Sequence, residues 1–334
     1  KWNHISISGY HIREAGSNAP QELAFTFGDA IAYVESALAN GLKIDAFAGQ
    51  LSFFFSVHNE FFEEIAKFRA ARRIWAKIMR DRFGARDPRS QMLRFHCQTA
   101  GSTLTAQQPE TNAIRVAYQA MAAVLGGTQS LHTNSRDEAL GLPTEASATL
   151  ALRTQQVLAY ETGVASTVDP LAGSVYVEAL TDEIEKRTLD ILTDIDSRGG
   201  MVRCIESGVI QSWILNSAFL DQRKIDSGEI PVVGVNLFKS DPAGPAGKSA
   251  KALRVSPAQE RDAIARVRAY RSKRSNAKLQ ASLIALNETA TNGKASLNLM
   301  DTIIDAIRAP ATLGEISDAL RAVYGEYTGY RGIG

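Results

Sequence analysis

The sequence predicts an α/β fold in which parallel strands alternate with helices, followed by a mainly helical C-terminal region. Two short apolar runs, Met92–Phe95 and Gln129–Leu131, each end in polar residues. Between them, about Ala113–Leu125 carries small and apolar residues at helical spacing. The order of elements is therefore a strand with a polar end, a helix, and a second strand with a polar end. This order is typical of a parallel sheet whose functional residues lie at the carboxyl ends of its strands.

Two more strand–helix units precede this stretch. The alternating run Ile5–Ser8 predicts the first strand, and Gly9 lets the chain turn sharply where that strand stops. A helix of about Pro20–Ala39 follows, because proline is favoured in the first turn of a helix. The second strand lies within Ile44–Val57, where LSFFFSV fits burial on both faces, and about Asn59–Phe83 is helical.

After Glu145 the pattern becomes mainly helical. Short extended pieces are expected at Ser174–Ala179 and Pro231–Phe238, and Thr181 is expected to cap the helix after the first of them. Asp241–Ser249 is rich in Pro, Gly and Ser, which indicates a linker. The predicted helices are Ala146–Glu161, Thr181–Asp196, Met201–Glu206, Val209–Asp226, Gln259–Asn287 (one helix or a pair), Leu297–Ala309 and Thr312–Tyr324.

Composition and charge argue against several functional classes. The 334 residues include 37 basic and 36 acidic side chains, a formal net charge of +1, so nothing favours nucleic acid or an anionic membrane as a partner. Cys97 and Cys204 are too few for a disulfide framework, which favours a reducing, cytoplasmic location. No apolar run is long enough to span a bilayer, and the start resembles neither a signal nor a transit peptide. The five histidines lack metal-ligand spacing, so we predict no metal site in this chain.

Five polar residues near the strand ends are candidates for chemistry. Tyr10 and His11 follow the first strand, and a histidine there can hydrogen-bond a carbonyl oxygen, although such pairs are often structural. Gln98 can donate and accept at once, or be a buried amide satisfied by the backbone. Asn134 and Glu138 share one side of a helical turn and could hold the two hydroxyls of a ribose. The plainer interpretation of that pair is a capping Asn with a solvated Glu.

The stretch RFHCQTAGSTLTAQQPETN, followed by GGTQSLHTNSRDEALGLPTE, resembles the cobalamin-dependent acyl-CoA mutases. Within that family it is most similar to the large, catalytic subunit of methylmalonyl-CoA mutase. The likeness extends from SISGYHIREAGS at Ser6–Ser17 to LGEISDALRAVYGEY at Leu313–Tyr327. Four strand–helix units cannot close an eight-stranded barrel, so the pattern alone leaves an open doubly wound sheet as the alternative. The resemblance instead implies the C-terminal half of a (β/α)8 TIM barrel.

The resemblance also implies a domain plan and partners. Residues 1–150 would form about strands five to eight of the barrel, 151–240 a helical continuation that packs on it, 241–250 a linker, and 251–334 a C-terminal helical segment. The N-terminal half of the barrel would be a separate chain or lie outside this sequence. The cobalamin motif Asp-x-His-x-x-Gly does not occur here. The resemblance therefore implies a cobalamin-binding small subunit or domain that supplies the lower cobalt ligand.

The implied activity is an adenosylcobalamin-dependent, radical isomerisation of an acyl-CoA carbon skeleton, from methylmalonyl-CoA to succinyl-CoA. The alternatives are a mutase for isobutyryl-, 2-hydroxyisobutyryl- or ethylmalonyl-CoA, and a non-catalytic fragment or scaffolding subunit. His11 would contact the substrate thioester carbonyl, with Tyr10 beside the reacting carbons. The positions that would meet the cofactor are Gln98, Gly101, Asn134 and Glu138.

Coenzyme A contacts are the part of the family pattern from which this chain departs. Lys1, Gln50 and Ser52 match positions that touch the coenzyme A part of the substrate. Where the family has Pro-Arg, this sequence has Gly49-Gln50. Losing a guanidinium removes a charge-assisted contact, so either other cations hold the coenzyme or the substrate or activity differs.

Overall fold

The first compact part of the protein is built on a parallel sheet. The structure, a computed structural model, describes residues 5–240, 253, 255–293 and 298–328, and the chain divides into two units, residues 1–253 and 254–334. In the first unit, four strands lie side by side in chain order and all run parallel. They are β1 (Ser6–Ser8), β2 (Ser52–Val57), β3 (Phe95–Thr99) and β4 (Ser130–His132).

Helices connect these strands and continue beyond them. Those described in the first unit are α1 (Tyr10–Glu14), α2 (Ala19–Ala39), α3 (Ile44–Phe47), α4 (Phe61–Lys77), α5 (Pro88–Gln91), α6 (Asn112–Leu125), α7 (Glu145–Glu161), α8 (Val175–Ser197), α9 (Met201–Glu206) and α10 (Val209–Ser227). A π-helical turn, Ile78–Arg82, extends α4. No helix within the described residues is both long and apolar enough to cross a membrane.

The two faces of the sheet differ in chemistry. Phe53, Phe55 and Phe95 point to the face that packs against α2, α4 and α6, and all three are buried. Trp75 of α4 meets the Phe53 ring edge-on at 4.8 Å between centroids. Because side chains alternate along a strand, the residues between them point the other way. That second face carries Ser52, Phe54, Ser56, His96, Gln98 and Ser130, which are mostly polar.

The second unit is a small helical assembly. Its described helices are α11 (Pro257–Ser272), α12 (Asn276–Asn292), α13 (Leu299–Arg308) and α14 (Leu313–Tyr324). α12 packs against α13 and α14 around Leu279, Leu286 and Ile316. The predicted helix or helix pair Gln259–Asn287 is therefore a pair, because Ser275 begins a new helix and accepts a hydrogen bond from the Lys278 amide.

Two strand predictions were wrong in position. The strand expected at Met92–Phe95 starts only at Phe95 and runs to Thr99, so its polar residues lie inside the strand rather than beyond it. The strand expected at Gln129–Leu131 is Ser130–His132. An apolar run does not mark the strand in either case, because one face of this sheet is polar and the side chains alternate along its strands.

Other expectations need correction as well. The strand expected within Ile44–Val57 is confirmed as β2, and the beginning of that range is helical. Ser174–Ala179 is not extended, because α8 starts at Val175, and Thr181 lies inside that helix with its hydroxyl donating to the Val177 carbonyl at 2.7 Å. Pro231–Phe238 forms turns rather than a strand. The predicted linker Asp241–Ser249 lies outside the described residues.

Candidate functional site

Polar side chains gather at the carboxyl ends of the four strands. Because the strands are parallel, the segments that follow them leave the sheet at one edge. The residues at this edge come from α1, from the end of β3 and its following turn, and from the segment after β4. We call them the carboxyl-edge cluster, which consists of Tyr10, His11, Glu14, Gln98, Gly101, Asn134 and Glu138.

A hydrogen-bonded chain links three members of the cluster. The Gln98 side-chain amide donates to the Tyr10 hydroxyl at 2.8 Å and to Asn134 Oδ1 at 2.9 Å. Tyr10 is 8% exposed, and its ring stacks on Phe54 with 4.9 Å between centroids. Both amide hydrogens of Gln98 are used, so its orientation is fixed. The three side chains, which come from different strand ends, therefore form one preorganised unit.

Asn134 is held from two sides. Its backbone N–H donates to Thr99 Oγ1 and its side-chain amide donates to the Thr99 carbonyl, both at 2.8 Å. Asn134 is 2% exposed, and the nearest following helix is capped by Thr144 instead. The segment 136–140 is a turn and not a helical turn. Asn134 and Glu138 nevertheless approach the same point, which is Gly101.

Gly101 lies in a cradle of three side chains. A Cβ atom at this position would lie 3.2 Å from Asn134 Nδ2, 3.2 Å from Glu14 Oε2 and 3.6 Å from Glu138 Cγ. A larger side chain would therefore press on all three neighbours. Glycine at this position lets the turn lie directly against Asn134 and Glu14.

Glu14 belongs to the cluster but is not among the site residues predicted from the sequence. Its carboxylate accepts the Ser102 backbone N–H at 2.7 Å and the Ser102 hydroxyl at 3.2 Å, which ties α1 to the turn Gly101–Thr103. Burial is the largest cause that raises the pKa of Glu14, and Glu138 adds to it. The spacing of Tyr10 and Glu14, four residues apart, could have revealed this neighbour if the segment had been interpreted as a helix.

Tyr10 is a neutral hydrogen-bonding group at ordinary pH. Burial, and then the charge of Glu14, raise the pKa of Tyr10 to about 12. The phenol therefore keeps its proton near neutrality. Since its oxygen accepts from Gln98, its own O–H can donate to another partner.

His11 is the exposed member of the pair that follows β1. Its Nδ1 atom lies 3.4 Å from the Ser8 hydroxyl oxygen, and its ring meets the Tyr10 ring edge-on at 5.4 Å between centroids. Both residues lie in the short helix α1, directly after the strand tip where they were expected. The structure therefore brings Tyr10, Gln98, Gly101, Asn134 and Glu138 together, with His11 beside them.

Gly9 is needed before α1 because of limited space, and not for the sharp turn that the sequence predicts. Its φ is −88°, which any residue can adopt, so the turn itself does not require glycine. A Cβ atom at Gly9 would lie 2.3 Å from Thr26 Oγ1 and 3.0 Å from Glu22 Cγ. The requirement is space, because α2 crosses directly against the start of α1.

A buried ionic network lies next to the carboxyl-edge cluster, at the carboxyl end of β2. Lys67 is fully buried, and its Nζ lies 2.7 Å from Glu22 Oε2 and 2.5 Å from Glu64 Oε2. It also donates to the Ser56 carbonyl at 2.7 Å, and Glu22 Oε1 accepts the Ser56 N–H at 2.8 Å. Burial opposes the charge of Lys67, but Glu22 and Glu64 together raise its pKa. The network therefore fixes the carboxyl end of β2 to α2 and α4.

Comparison with known proteins gives the family. A family model described as Methylmalonyl-CoA mutase matches residues 1–326. The chain belongs to the methylmalonyl-CoA mutase family. The resemblance found in the sequence is thereby confirmed.

Three relatives illustrate the similarity within the methylmalonyl-CoA mutase family. Over 98% of its length, the chain is 47% identical to the 2-hydroxyisobutanoyl-CoA mutase large subunit of Aquincola tertiaricarbonis, of which it covers 57%. It is 46% identical to the methylmalonyl-CoA mutase of Rhizobium meliloti, with 98% of the chain and 45% of that protein covered. For the human mitochondrial methylmalonyl-CoA mutase the identity is 42%, with 98% and 43% covered. The chain thus spans about half the length of the curated relatives it matches.

The residues predicted to touch coenzyme A lie at the other edge of the sheet. Gln50 ends a 3-10 turn before β2 and is exposed, and Ser52 begins β2 with its hydroxyl donating to the Ile5 carbonyl at 3.1 Å. Phe54, on which the Tyr10 ring stacks, lies four positions after Gln50, so Gln50 lies roughly 10–13 Å from Tyr10 along β2. Lys1 lies outside the described residues. Among the described side chains, no group of three or more His, Cys, Asp or Glu is placed to hold a metal ion.

Proposed function

We propose that this chain is part of an adenosylcobalamin-dependent acyl-CoA mutase, which isomerises the carbon skeleton of an acyl-CoA such as methylmalonyl-CoA to give succinyl-CoA. The observation that carries the proposal is the hydrogen-bonded chain Tyr10–Gln98–Asn134 beside Gly101. It gathers residues that the resemblance assigns to the reacting carbons and to the cofactor, although they are far apart in the sequence.

The first part of the proposal is that the sheet is half of a (β/α)8 barrel. A doubly wound sheet reverses its strand order at a switch point, whereas these four strands follow chain order without reversal. The connecting helices α2, α4 and α6 all pack on one face. The opposite face is mostly polar, as expected for a surface that lines the interior of a ligand-binding barrel.

The second part concerns the cofactor. Gly101 would let a flat ring system approach the backbone, while Asn134 and Glu138 would hold the hydroxyls of the adenosyl group and Gln98 would face the corrin side. The surroundings of Gly101 fit this role, because the Asn134 amide and the Glu14 carboxylate lie beside it and can bond polar groups of a ligand. When bound, the cofactor supplies the radical that starts the rearrangement, and the protein orients the reactants and excludes water. A separate cobalamin-binding domain or small subunit would supply the lower cobalt ligand.

The third part concerns the reacting end of the substrate. With the Ser8 hydroxyl facing Nδ1 of His11, the Nε2–H of that ring would donate to the thioester carbonyl. This carbonyl gains electron density during the rearrangement, so a preorganised donor helps most at that stage. Tyr10 would present its neutral phenol beside the reacting carbons, held in place by Gln98 and by stacking on Phe54.

The coenzyme A part would run along the polar face of the sheet toward the amino ends of the strands. Gln50 and Ser52 lie there, with Lys1 preceding them in the sequence. The Cβ of Arg89 lies 3.7 Å from the position of a Cβ built at Gly49, so a cation is close to the turn that lacks the family's arginine. Arg89, now paired with Asp87 at 2.8 Å on the surface, could exchange that partner for a phosphate.

The substrate itself could be one of several acyl-CoA thioesters. The 47% identity to a 2-hydroxyisobutanoyl-CoA mutase large subunit favours 2-hydroxyisobutyryl-CoA as a second candidate. Isobutyryl-CoA and ethylmalonyl-CoA are further members of this class. We also propose a cytoplasmic location, which the free, buried thiols of Cys97 and Cys204 support.

The test is a turnover assay of the full-length protein together with its cobalamin-binding partner. Each of the four acyl-CoA thioesters is incubated with adenosylcobalamin, and isomers are separated by chromatography and identified by mass spectrometry. Formation of an isomer from one of them, dependent on the cofactor, is expected. Tight cofactor binding without isomerisation of any of the four would favour the scaffolding alternative.

A further inference from the structure

His58 has no role in the function proposed so far, yet it lies at the same edge of the sheet. It directly follows β2, whose carboxyl end points to the carboxyl-edge cluster. Its Nε2 atom is buried without a hydrogen-bond partner. A buried polar atom that lacks a partner costs free energy, so such an atom next to a functional cluster calls for an explanation.

Glu14 is the group that could accept a hydrogen bond from this nitrogen. Its Oε1 atom lies 3.9 Å from His58 Nε2, and the Ser56 hydroxyl, two residues before His58, donates to the same oxygen at 3.4 Å. An N–H···O bond needs about 2.7–3.2 Å, so a shift of roughly 1 Å would complete it. The other carboxylate oxygen of Glu14 holds the Ser102 N–H at 2.7 Å.

We propose that His58 is a positioning residue that donates from Nε2 to the Glu14 carboxylate and so keeps that carboxylate ionised and bonded to the turn Gly101–Thr103. The inference rests on the proposed function only in taking this turn to be the one that meets the cofactor. An ionised Glu14 is the stronger acceptor for the Ser102 N–H, because charge-assisted hydrogen bonds are roughly twice as strong as neutral ones. His58 would thereby regulate how firmly the turn is fixed.

The charges around His58 favour a neutral donor rather than an ion pair. Burial, and then the cations Arg13 of α1 and Lys67 of α4, lower the pKa of His58 well below its ordinary value. The ring is therefore uncharged near neutrality, and it can donate only from the nitrogen that keeps its proton. Glu138, on the turn after β4, faces Glu14 and raises its pKa, which opposes the contribution of His58.

The Ser102 amide gives a direct readout that needs no cofactor. In full-length protein labelled with ¹⁵N-serine, the Ser102 amide shift should follow the titration of Glu14, because the two are hydrogen-bonded. Hydrogen bonds to a charged carboxylate favour ionisation, so His58→Leu should move the midpoint about one pH unit higher. His58→Gln, which keeps an amide donor, should stay within a few tenths of a unit of the wild type.

Two controls make the result decisive. Glu14→Gln should abolish the titration, which proves its assignment, and His96→Leu should leave it unchanged, because the His96 ring bonds Ser130 instead. A midpoint that does not move in His58→Leu, or that moves lower, overturns the proposal. So does a Ser102 amide that fails to titrate in the wild type. Absence of mutase turnover would refute the proposed function but leave this result standing.

Discussion

Lys67→Met tests whether the buried ionic network holds the carboxyl end of β2 in place. The substitution keeps most of the side-chain volume but removes the cation between Glu22 and Glu64, and all three side chains are fully buried. Breaking a buried pair in this way costs about 3–5 kcal/mol, because the partner charges stay buried. At roughly 2–4 °C per kcal/mol, the thermal midpoint should fall by about 6–20 °C.

The pH dependence of this loss has a definite sign. Burial, the largest cause, already raises the pKa of Glu22, and Glu64 adds to the shift while Lys67 opposes it. Without Lys67 the pKa of Glu22 rises further. A carboxyl whose pKa is raised on folding costs stability where it is ionised, and that cost disappears as the pH falls through the folded-state pKa. The deficit of the variant should therefore be largest near neutrality and shrink in mild acid.

The assay is thermal unfolding followed by circular dichroism at pH 7.5 and 5.5. Lys77→Met is the matched control, since it lies on the same helix and loses a 2.5 Å pair with Glu185, but its side chain is 51% exposed. Glu185 keeps Arg73 as a partner after the loss of Lys77, and a pair with one solvent-exposed member contributes about 0–1 kcal/mol, so this variant should melt close to the wild type. The reasoning is refuted if Lys67→Met also melts within a few degrees of the wild type at pH 7.5, or if its deficit grows in acid.

Three further substitutions test the cluster and its surroundings. Gly9→Ala should lower the free energy of unfolding by about 1–3 kcal/mol through overpacking against Thr26, measured by chemical denaturation, and an unchanged value would show that α1 moves freely. Glu138→Gln should weaken adenosylcobalamin binding by about tenfold or more in an equilibrium titration, whereas wild-type affinity would return Glu138 to a solvated surface role. Gln50→Arg should lower the Michaelis constant for an acyl-CoA, because a charged hydrogen bond to the coenzyme contributes at most about 1.5–3 kcal/mol. An unchanged Michaelis constant would indicate that Arg89 holds the phosphates instead.

Helices with strong local signals could be predicted from the sequence. The prediction for α2 is Pro20–Ala39, and the helix occupies Ala19–Ala39. Its start is well marked, because Asn18 caps the helix, Pro20 lies in the first turn and Gln21 completes a capping box with Asn18. Such signals lie within one turn of the helix and need no tertiary information. The strand β3 was misplaced by contrast, since His96 and Gln98 look like loop residues until the polar face of the sheet is known.

For the candidate site as well, some residues could be predicted from the sequence, whereas their contacts could not. Tyr10, Gln98 and Asn134 were proposed through resemblance, but their mutual hydrogen bonds join residues 88 and 36 positions apart and could not be derived from spacing. Glu14 and His58 were missed for a related reason. Their proximity depends on how closely α1 approaches the end of β2, which is a property of packing rather than of either local sequence.

The turnover of His11→Ala tests the central claim most directly, because His11 is the residue proposed to donate a hydrogen bond to the thioester carbonyl of the substrate. The variant is assayed in the full-length protein with its cobalamin-binding partner, adenosylcobalamin and the preferred acyl-CoA. Removing one preorganised donor typically costs about a hundredfold or more in turnover. We therefore predict a loss of about that order with the substrate affinity little changed. Near-normal turnover would contradict the account and leave His11 as a structural histidine.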